Sequence, residues 1–334
     1  MRIIVDGFGG DNAPLEIIKG AALAVGEYGL NVTLTGRTEK IRQAAAQAGV
    51  SLDGIDIADA PDVIGMGDNP KSILKEYKNS SMAEGLRLLA AQKGDAFVSA
   101  GSTGALVMGG TFYVKRIKGV SRAALAPLLP GEQGPFMLID AGANVECRPE
   151  MLLQFAQMGS IYMTNIIGGG KPATVGLVNV GTEDSKGGAL QHEAFALIKQ
   201  SGLNFVGNIE ARDIPAGVAQ VVVADGFTGN VILKLTEGVA DTLMTNIKDI
   251  FYTNAITKAA ALMVKPYLKQ LKKKMDTSEY GGAPLLGLAN PVIKTHGNAV
   301  AASVKNAIRV AADFAQKDII RQIADTVKTP SIQE

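Results

Sequence analysis

The sequence predicts an α/β fold in which helices cover both faces of a mostly parallel β-sheet. Three observations lead to this prediction: β-rich runs alternate with helix-like segments, glycine follows most of these runs within a few residues, and 47% of the 334 residues are hydrophobic. Such alternation is typical of parallel strands joined by crossover helices. The apolar content is enough for a large core, which excludes general disorder.

The elements are predicted in chain order from residue type and periodicity. Residues 3–6 form the first strand, after which Asn12 as a cap and Pro14 in the first turn begin a helix. A helix is also predicted over residues 39–48. Further strands are predicted at residues 32–35, 96–99, 136–140, 174–180, 204–207 and 220–224. Because no repeat, low-complexity segment or linker divides the chain, we predict a single domain over residues 1–334.

Charge and cysteine content exclude several classes of protein. The net charge of +1 gives no global field that would attract nucleic acid. With one cysteine, Cys147, and two histidines, the sequence predicts no internal disulfide and no metal site, as suits a reducing cytoplasm. The uncharged stretches 96–114 and 151–170 contain too many polar side chains for membrane spans. We therefore predict a cytoplasmic protein.

Six glycine-rich turns follow predicted strands or lie near the C-terminal end. They occupy residues 6–11, 100–105, 140–144, 181–187, 225–230 and 280–284, and residues 295–298 follow the last of them. Glycine allows backbone N–H groups to approach an anion at a helix start. Each turn alone could simply reverse the chain. In a parallel sheet, however, the turns after strands meet at one edge, which predicts a single polar pocket.

Familiar nucleotide and hydrolase motifs do not fit these turns. A dinucleotide fingerprint starting at Gly7 requires glycine where the chain has Asn12. The glycine-rich turns carry no Walker lysine-serine pair and no G-x-S-x-G elbow. The sequence therefore does not support nicotinamide binding, P-loop chemistry or serine-hydrolase chemistry.

Residues 236–279 predict a helical hairpin. Helical periodicity covers residues 236–253, Pro266 is expected to open a second helix, and the segment 255–264 between them is mostly apolar. Lysines flank this apolar tip at positions 265, 269, 272, 273 and 274. The hairpin could pack on the body or on a second subunit, or it could dock on a membrane surface or an acidic protein.

Seven segments carry a family pattern: VDGFGGD (5–11), SAGSTGA (99–105), DAGAN (140–144), FAQMG (155–159), NVGTE (179–183), DGFTGN (225–230) and YGGAPLLG (280–287). Taken together, they resemble the acyl-carrier-protein:phosphate acyltransferase family of bacterial phospholipid synthesis. The resemblance spans nearly the whole chain in the family's order. This sequence departs from the family at Phe8 and Asn12, where methionine and histidine are usual, and at Ser102, where asparagine is usual.

The resemblance implies a three-layer α/β/α fold similar to that of the isocitrate and isopropylmalate dehydrogenases, a homodimer and no organic cofactor. It implies transfer of a long-chain acyl group from acyl carrier protein to inorganic phosphate. The acyl phosphate would then feed a membrane glycerol-3-phosphate acyltransferase. The resemblance also implies a cytosolic enzyme that associates peripherally with the membrane, which makes the hairpin a candidate for contact with an anionic membrane surface.

The chemistry of acyl transfer to phosphate suggests roles for four side chains. Phosphate is itself a nucleophile, and a thiol with a pKa near ~8.5 can leave as thiolate. Lys186 is expected to position phosphate, Asn230 to stabilise the oxyanion or bind phosphate, and Asp225 to orient either residue. His296 is expected to bind phosphate or protonate the leaving sulfur. The candidate phosphate-binding residues are Gly9, Gly10, Gly101, Ser102, Thr103, Gly104, Asn144 and Gly229.

Each role has a structural alternative. Lys186 could be a solvated loop lysine, Asp225 could cap its own turn, and His296 could be a cap or core residue. Among whole-protein alternatives, a short-chain phosphotransacylase would use coenzyme A, and a dehydrogenase of the related fold would need metal-binding aspartates. A membrane-docking scaffold would bind phosphate compounds without turnover.

Overall fold

The strands form two sheets in the computed structural model, which describes residues 1–275 and 277–327, without the side chains of residues 272–274, 277 and 278. The strands are β1 Arg2–Asp6, β2 Asn31–Gly36, β3 Ile55–Asp59, β4 Ala96–Ser99, β5 Ala124–Leu125, β6 Leu128–Leu129, β7 Phe136–Ile139, β8 Val175–Asn179, β9 Phe205–Glu210, β10 Val221–Val223, β11 Ala283–Leu286 and β12 Val292–Lys294.

The α-helices alternate with these strands along most of the chain. They are α1 Leu15–Tyr28, α2 Thr38–Ala48, α3 Ser81–Ala90, α4 Thr103–Gly109, α5 Pro149–Tyr162, α6 Ala189–Gln200, α7 Gly226–Tyr252, α8 Ala255–Met275, α9 Ala301–Gln316 and α10 Ile319–Val327. Short 3₁₀ segments span Pro70–Leu74, Ala211–Ala216 and Thr277–Tyr280, and π-helical turns span Gly110–Val114 and Met163–Ile167.

Both sheets are mostly parallel, which confirms the predicted α/β architecture. The first has the order β3-β2-β1-β4-β12-β11-β5, and only β11 runs against its neighbours. The second has the order β6-β7-β10-β8-β9, and only β6 is antiparallel. In the first sheet Lys294 pairs with Ser99, so the ends of β4 and β12 lie side by side. Parallel strands place their following loops at one edge, and here there are two such edges.

The hydrophobic core is formed largely by the apolar side chains of the central strands. The central strands are almost wholly apolar, and residues such as Ile4, Phe97 and Val222 are inaccessible to solvent because helices cover both sheet faces. Phe97 of the first sheet and Leu138 of the second belong to one continuous cluster of buried side chains. The two sheets therefore share part of their hydrophobic core.

The start of α1 differs from the prediction. Asn12 does not cap the helix, because α1 begins only at Leu15 and its first turn has no side-chain cap. The Asn12 amide instead donates to the carbonyl oxygens of Asn298 (3.0 Å) and Ala299 (3.3 Å). Asn12 therefore ties the loop after β1 to the loop after β12.

The hairpin is formed by α7 and α8. After Leu233, α7 contains no buried residue, so most of the helix extends away from the body. The prediction that Pro266 opens the second helix is wrong, because α8 begins at Ala255 and carries that proline in its interior. Asn254 starts the helix earlier by accepting hydrogen bonds from the backbone N–H groups of Ile256 and Thr257, both at 2.9 Å.

The apolar segment 255–264, predicted to lie between the two helices, instead forms the N-terminal half of α8, and its large apolar side chains are exposed. Ile256 is 81% exposed, and Leu262 and Met263 are similarly open to solvent. Lys265 and Lys269 are also exposed, whereas the side chains of Lys272, Lys273 and Lys274 lie outside the described residues. None of the helices in the described ranges has the length and hydropathy needed to cross a bilayer.

Candidate active site

The loops after β1 and β4 meet around a buried carboxylate at the edge of the first sheet. Asp6 accepts hydrogen bonds from the Ser99 hydroxyl (2.7 Å) and the Phe8 backbone N–H (3.2 Å). Burial raises the pKa of Asp6, and these hydrogen bonds oppose the effect. A Cβ at Gly9 would lie 2.5 Å from the Asp6 carboxylate and 2.6 Å from the Gly101 nitrogen, so this close approach requires glycine.

Lys294 ends β12 at the same edge of the first sheet, and sequence analysis missed it. The residue is only 8% exposed, and its ammonium donates to the carbonyl oxygens of Ala100 (3.4 Å) and Thr295. Burial, with a contribution from the charge of Lys234, lowers the pKa of Lys294 to about 8. The available signal was a lysine that ends an apolar strand directly before a polar, glycine-containing turn.

His296 lies in the next loop, at the same edge. Its side chain is exposed, while its backbone carbonyl accepts a hydrogen bond from the Ala299 N–H at 3.1 Å. The adjacent Gly297 carbonyl accepts from the Asp11 N–H at 2.7 Å, and Gly10 has a φ of +91° where the loops cross. The structure therefore brings His296 together with Gly9 and Gly10.

The loop between β4 and α4 carries three further candidate residues. Ser102 caps α4, with its hydroxyl 3.5 Å from the Ala105 nitrogen. Thr103 and Gly104 form the first turn of this short helix, and a Cβ at Gly104 would lie 2.7 Å from the Pro70 side chain. These residues join the first-sheet group, although the Ser102 hydroxyl is already engaged by the backbone.

A second group surrounds Asp140, at the end of β7. One carboxylate oxygen of Asp140 accepts from the backbone N–H groups of Leu125 (2.9 Å), Gly142 (3.3 Å) and Ala143 (3.1 Å). The other oxygen accepts from the Asn144 backbone N–H (2.6 Å) and side-chain amide (2.9 Å). Burial raises the pKa of Asp140, and the hydrogen bonds from Ala143, Asn144 and Leu125 act against that rise. Since Leu125 belongs to the first sheet, Asp140 links the two sheets.

The candidate residues Asn144 and Gly229 have structural tasks in this group. The Asn144 amide donates to Asp140 and also to the Ala123 carbonyl at 2.8 Å, which uses both of its hydrogens. A Cβ at Gly229 would overlap the Asp140 carbonyl oxygen and lie 2.9 Å from its carbonyl carbon. Gly229 therefore allows α7 to pack directly on this loop, and its predicted role in phosphate binding stays a prediction.

Asp225 is the N-cap residue before α7, and Asn230 is the fifth residue of that helix. Asp225 caps the helix by accepting from the Thr228 N–H (2.9 Å) and hydroxyl (2.7 Å), in agreement with the structural alternative for this residue. Asn230 is exposed, and its side-chain oxygen is 3.3 Å from the position a Cβ would take at Gly142. The Asn230 amide therefore lies over the Asp140 loop with its side chain open to solvent.

Lys186 lies in the loop after β8, at the same edge of the second sheet. Its side chain is 48% exposed, and its ammonium is 3.9 Å from the Glu183 carboxylate. Asn179 holds the loop by donating to the Lys186 carbonyl at 2.9 Å. Since β10 lies between β8 and β7, the Lys186 loop lies two strands from the Asp140 loop.

The candidate residues therefore form two groups instead of the single pocket predicted from one sheet edge. One group follows strands of the second sheet and contains Lys186, Asn230 and Asp225. The other follows strands of the first sheet and contains His296 and the glycines at positions 9, 10 and 101. The charge of Lys234 on α7 contributes to lowering the pKa of Lys294 at the end of β12, so α7 acts electrostatically on the first group. Among the described residues, no cluster of histidine, cysteine and carboxylate side chains could hold a metal ion.

Cys147 is expected to react slowly with alkylating reagents. Burial raises the pKa of its thiol to about 11, and its sulfur lies 3.5 Å from the Asn144 carbonyl oxygen. The thiolate is the reactive form, so a rise of about two units from an ordinary thiol slows alkylation roughly a hundredfold at pH 8. Iodoacetamide labelling followed by mass spectrometry measures the rate. A rate equal to that of free cysteine would contradict the prediction.

Solved structures place this fold in a known class. A EutD phosphotransacetylase from Staphylococcus aureus aligns with a TM-score of 0.62 and 16% identity, covering 94% of each chain. A 4-hydroxythreonine-4-phosphate dehydrogenase from Klebsiella pneumoniae aligns with a TM-score of 0.56 and 14% identity, covering 95% of this chain and 99% of that one. The fold is thus the dehydrogenase-like α/β fold that phosphotransacylases share.

Sequence comparison gives the family. The profile described as "Fatty acid synthesis protein" matches residues 1–322. A protein named phosphate acyltransferase from Clostridium acetobutylicum is 45% identical over 97% of this chain and 98% of its own length. Another of that name from Clostridium novyi is 44% identical, over 99% of this chain and 100% of its length. The chain belongs to the phosphate acyltransferase family and is, as predicted, an acyltransferase.

Proposed function

We propose that this enzyme transfers a long-chain fatty acyl group from an acyl carrier protein thioester to inorganic phosphate, giving acyl phosphate for phospholipid synthesis. The observation that carries the proposal is the 45% identity, over nearly the full length of both chains, to a protein named phosphate acyltransferase. The carrier protein as donor and the long acyl chain come from the motif resemblance.

The reaction requires positioning and charge stabilisation but no protein nucleophile. A phosphate oxygen attacks the thioester carbonyl carbon and forms the new C–O bond. The C–S bond then breaks, and sulfur leaves with its electron pair and takes up a proton. An enzyme accelerates such a step by holding the two substrates in line and stabilising the oxyanion.

Side chains on the second sheet fit these requirements. Lys186 supplies a half-exposed ammonium that can hold phosphate. Two early N–H groups of α7 are already engaged, since Gly226 donates to Asn144 and Thr228 donates to Asp225. The Asn230 amide is therefore the α7 group assigned to the oxyanion, and Asp225 acts by fixing the turn that carries it. His296, across at the first sheet, is assigned to protonate the leaving sulfur.

The test uses purified enzyme, long-chain acyl carrier protein and phosphate, with hydroxylamine to trap acyl phosphate. We expect phosphate-dependent product, and a loss of roughly a hundredfold in rate for Lys186→Ala or Asn230→Ala, since each removes one stabilising group. Lys199→Ala is the control because Lys199 is an exposed lysine already paired with Asp184 at 3.0 Å.

Other outcomes of this assay separate the alternatives. Product that survives both substitutions would discard the assigned site while keeping the activity. Product from acyl coenzyme A alone would make the enzyme a coenzyme A-dependent phosphotransacylase. Absence of turnover with either donor would contradict the proposed function and favour a membrane-docking scaffold.

We also propose a cytoplasmic homodimer that contacts anionic membranes and delivers acyl phosphate to a membrane glycerol-3-phosphate acyltransferase. The exposed apolar side chains in the N-terminal half of α8, Ile256, Leu262 and Met263, support a contact of this kind. Part of the hairpin surface could instead pack in the dimer. Co-sedimentation with anionic vesicles tests the membrane contact, and sedimentation velocity tests the dimer.

A further inference from the structure

We infer that Lys294, together with Lys234, binds the phosphate group of a substrate between the end of β12 and the first turns of α7. The phosphate group belongs either to inorganic phosphate or to the phosphopantetheine arm of the acyl donor. The inference rests on the proposed function for the identity of these substrates, and it adds two residues that the glycine-rich motifs do not contain.

The first argument is the burial of a cation without a counterion. Lys294 is 8% exposed, and its ammonium donates to two backbone carbonyls, those of Ala100 and Thr295. Within the described ranges, no carboxylate lies at ion-pair distance from this ammonium. Buried charges in proteins are normally paired, and an ammonium has three donors, so one donor remains for a further acceptor.

The second argument concerns the groups that face Lys294. Asp6 at the end of β1 and Asp11 in the following loop favour its charged form, whereas Lys234 from α7 and burial oppose it. Asp6 is occupied by the Ser99 hydroxyl and the Phe8 N–H, and Asp11 is exposed. Burial and Lys234 prevail, since the pKa of Lys294 falls to about 8. An anion at this position would offset both effects.

The third argument is the placement of Lys234 on α7. Lys234 follows Asn230 by four residues, so the two side chains share one face of the helix. Lys234 is exposed and pairs with Glu237 at 2.8 Å. The face of α7 that carries the proposed oxyanion group therefore also carries a cation whose charge acts on Lys294. A phosphate group held there lies close to the proposed reaction centre.

Direct binding to the full-length enzyme tests the inference. Inorganic phosphate and 4′-phosphopantetheine are titrated separately by calorimetry at pH 7, with pantetheine as the probe that lacks a phosphate. We expect Lys294→Met to weaken binding of one phosphate probe at least about tenfold and to leave pantetheine unaffected. The affected probe identifies the source of the phosphate group. Lys305→Met is the control, because Lys305 lies on α9 and pairs with Glu27 on α1 at 2.7 Å, outside the elements that form the proposed site.

The pH dependence gives a readout that a merely structural lysine would not change. Only the ammonium form attracts an anion, so affinity of the wild type for the affected probe should fall as pH rises above about 8. Lys294→Met should abolish this dependence. Lys234→Met should weaken binding and move the fall to higher pH, because the charge that lowers the Lys294 pKa is gone. Since Lys234 is exposed, this variant carries the test if Lys294→Met does not fold.

Unchanged affinity for both phosphate probes in folded Lys294→Met, or no binding of either probe by the wild type, would overturn the inference. The proposed function fails separately. If the wild-type enzyme binds a phosphate probe through Lys294 but makes no acyl phosphate, the proposed function is contradicted and the anion site is still supported. Full turnover with unaltered Michaelis constants in Lys294→Met would support the proposed function and contradict the anion site at Lys294.

Discussion

Gly229→Ala is expected to destabilise the protein by about 3 kcal/mol or more, because the new methyl group has no space. Its Cβ would overlap the carbonyl oxygen of Asp140 and lie 2.9 Å from the carbonyl carbon. These are backbone atoms of a loop held by five hydrogen bonds, so they cannot move aside as a flexible side chain would. The first turn of α7 must therefore shift away from the loop and take Asn230 with it.

Gly238→Ala is the matched control in the same helix. Gly238 is exposed, and apart from the neighbouring backbone of its own helix no atom lies within 4 Å of the position its Cβ would take. Alanine is favoured over glycine in a helix interior by roughly 0.5–1 kcal/mol, so this variant should be slightly more stable than the wild type. Chemical denaturation of the variants measures both effects. Equal free energies of unfolding for the two variants would contradict the packing argument.

The longer strands could be predicted because their sequences carry local signals. Residues 96–99 are a compact apolar run between charged and glycine-rich segments, and the observed strand has the same bounds as the predicted one. The two-residue strands β5 and β6 are too short for any periodicity to show. The division into two sheets could not be read from sequence, because it depends on distant pairings such as β12 beside β4.

The glycine-rich turns at the strand ends could be predicted from the sequence, but the tasks of individual residues could not. Glycine-rich turns do follow the strands, as expected. The tight packing of Gly229 on Asp140, however, depends on the angle at which α7 leaves its strand, which no local pattern encodes. Lys294 was missed for a related reason: a lysine at a strand end usually reaches solvent, and only the surrounding loops make it buried.

Asp140→Asn is expected to lower the free energy of unfolding by about 3 kcal/mol or more, although the two side chains have almost the same shape. Each carboxylate oxygen accepts only from N–H donors, three on one side and two from Asn144 on the other. An asparagine amide must point its NH₂ group at one of these sets. In either orientation the new NH₂ group faces N–H donors in a buried site, and those N–H groups lose their acceptor. Leu125, which links the first sheet to this loop, loses its acceptor in one of the two orientations.

Asp225→Asn also replaces a carboxylate by an amide, but at a site that tolerates the replacement. Asp225 receives one N–H and one hydroxyl from Thr228, and a hydroxyl can turn to accept from the new amide. Asparagine is also as good a helix cap as aspartate, so the loss should stay below about 0.5 kcal/mol. Urea denaturation at pH 7 compares the two variants. Similar losses would mean that the Asp140 network can rearrange. A stable Asp225→Asn variant that loses turnover would instead give Asp225 a role in the reaction beyond capping α7.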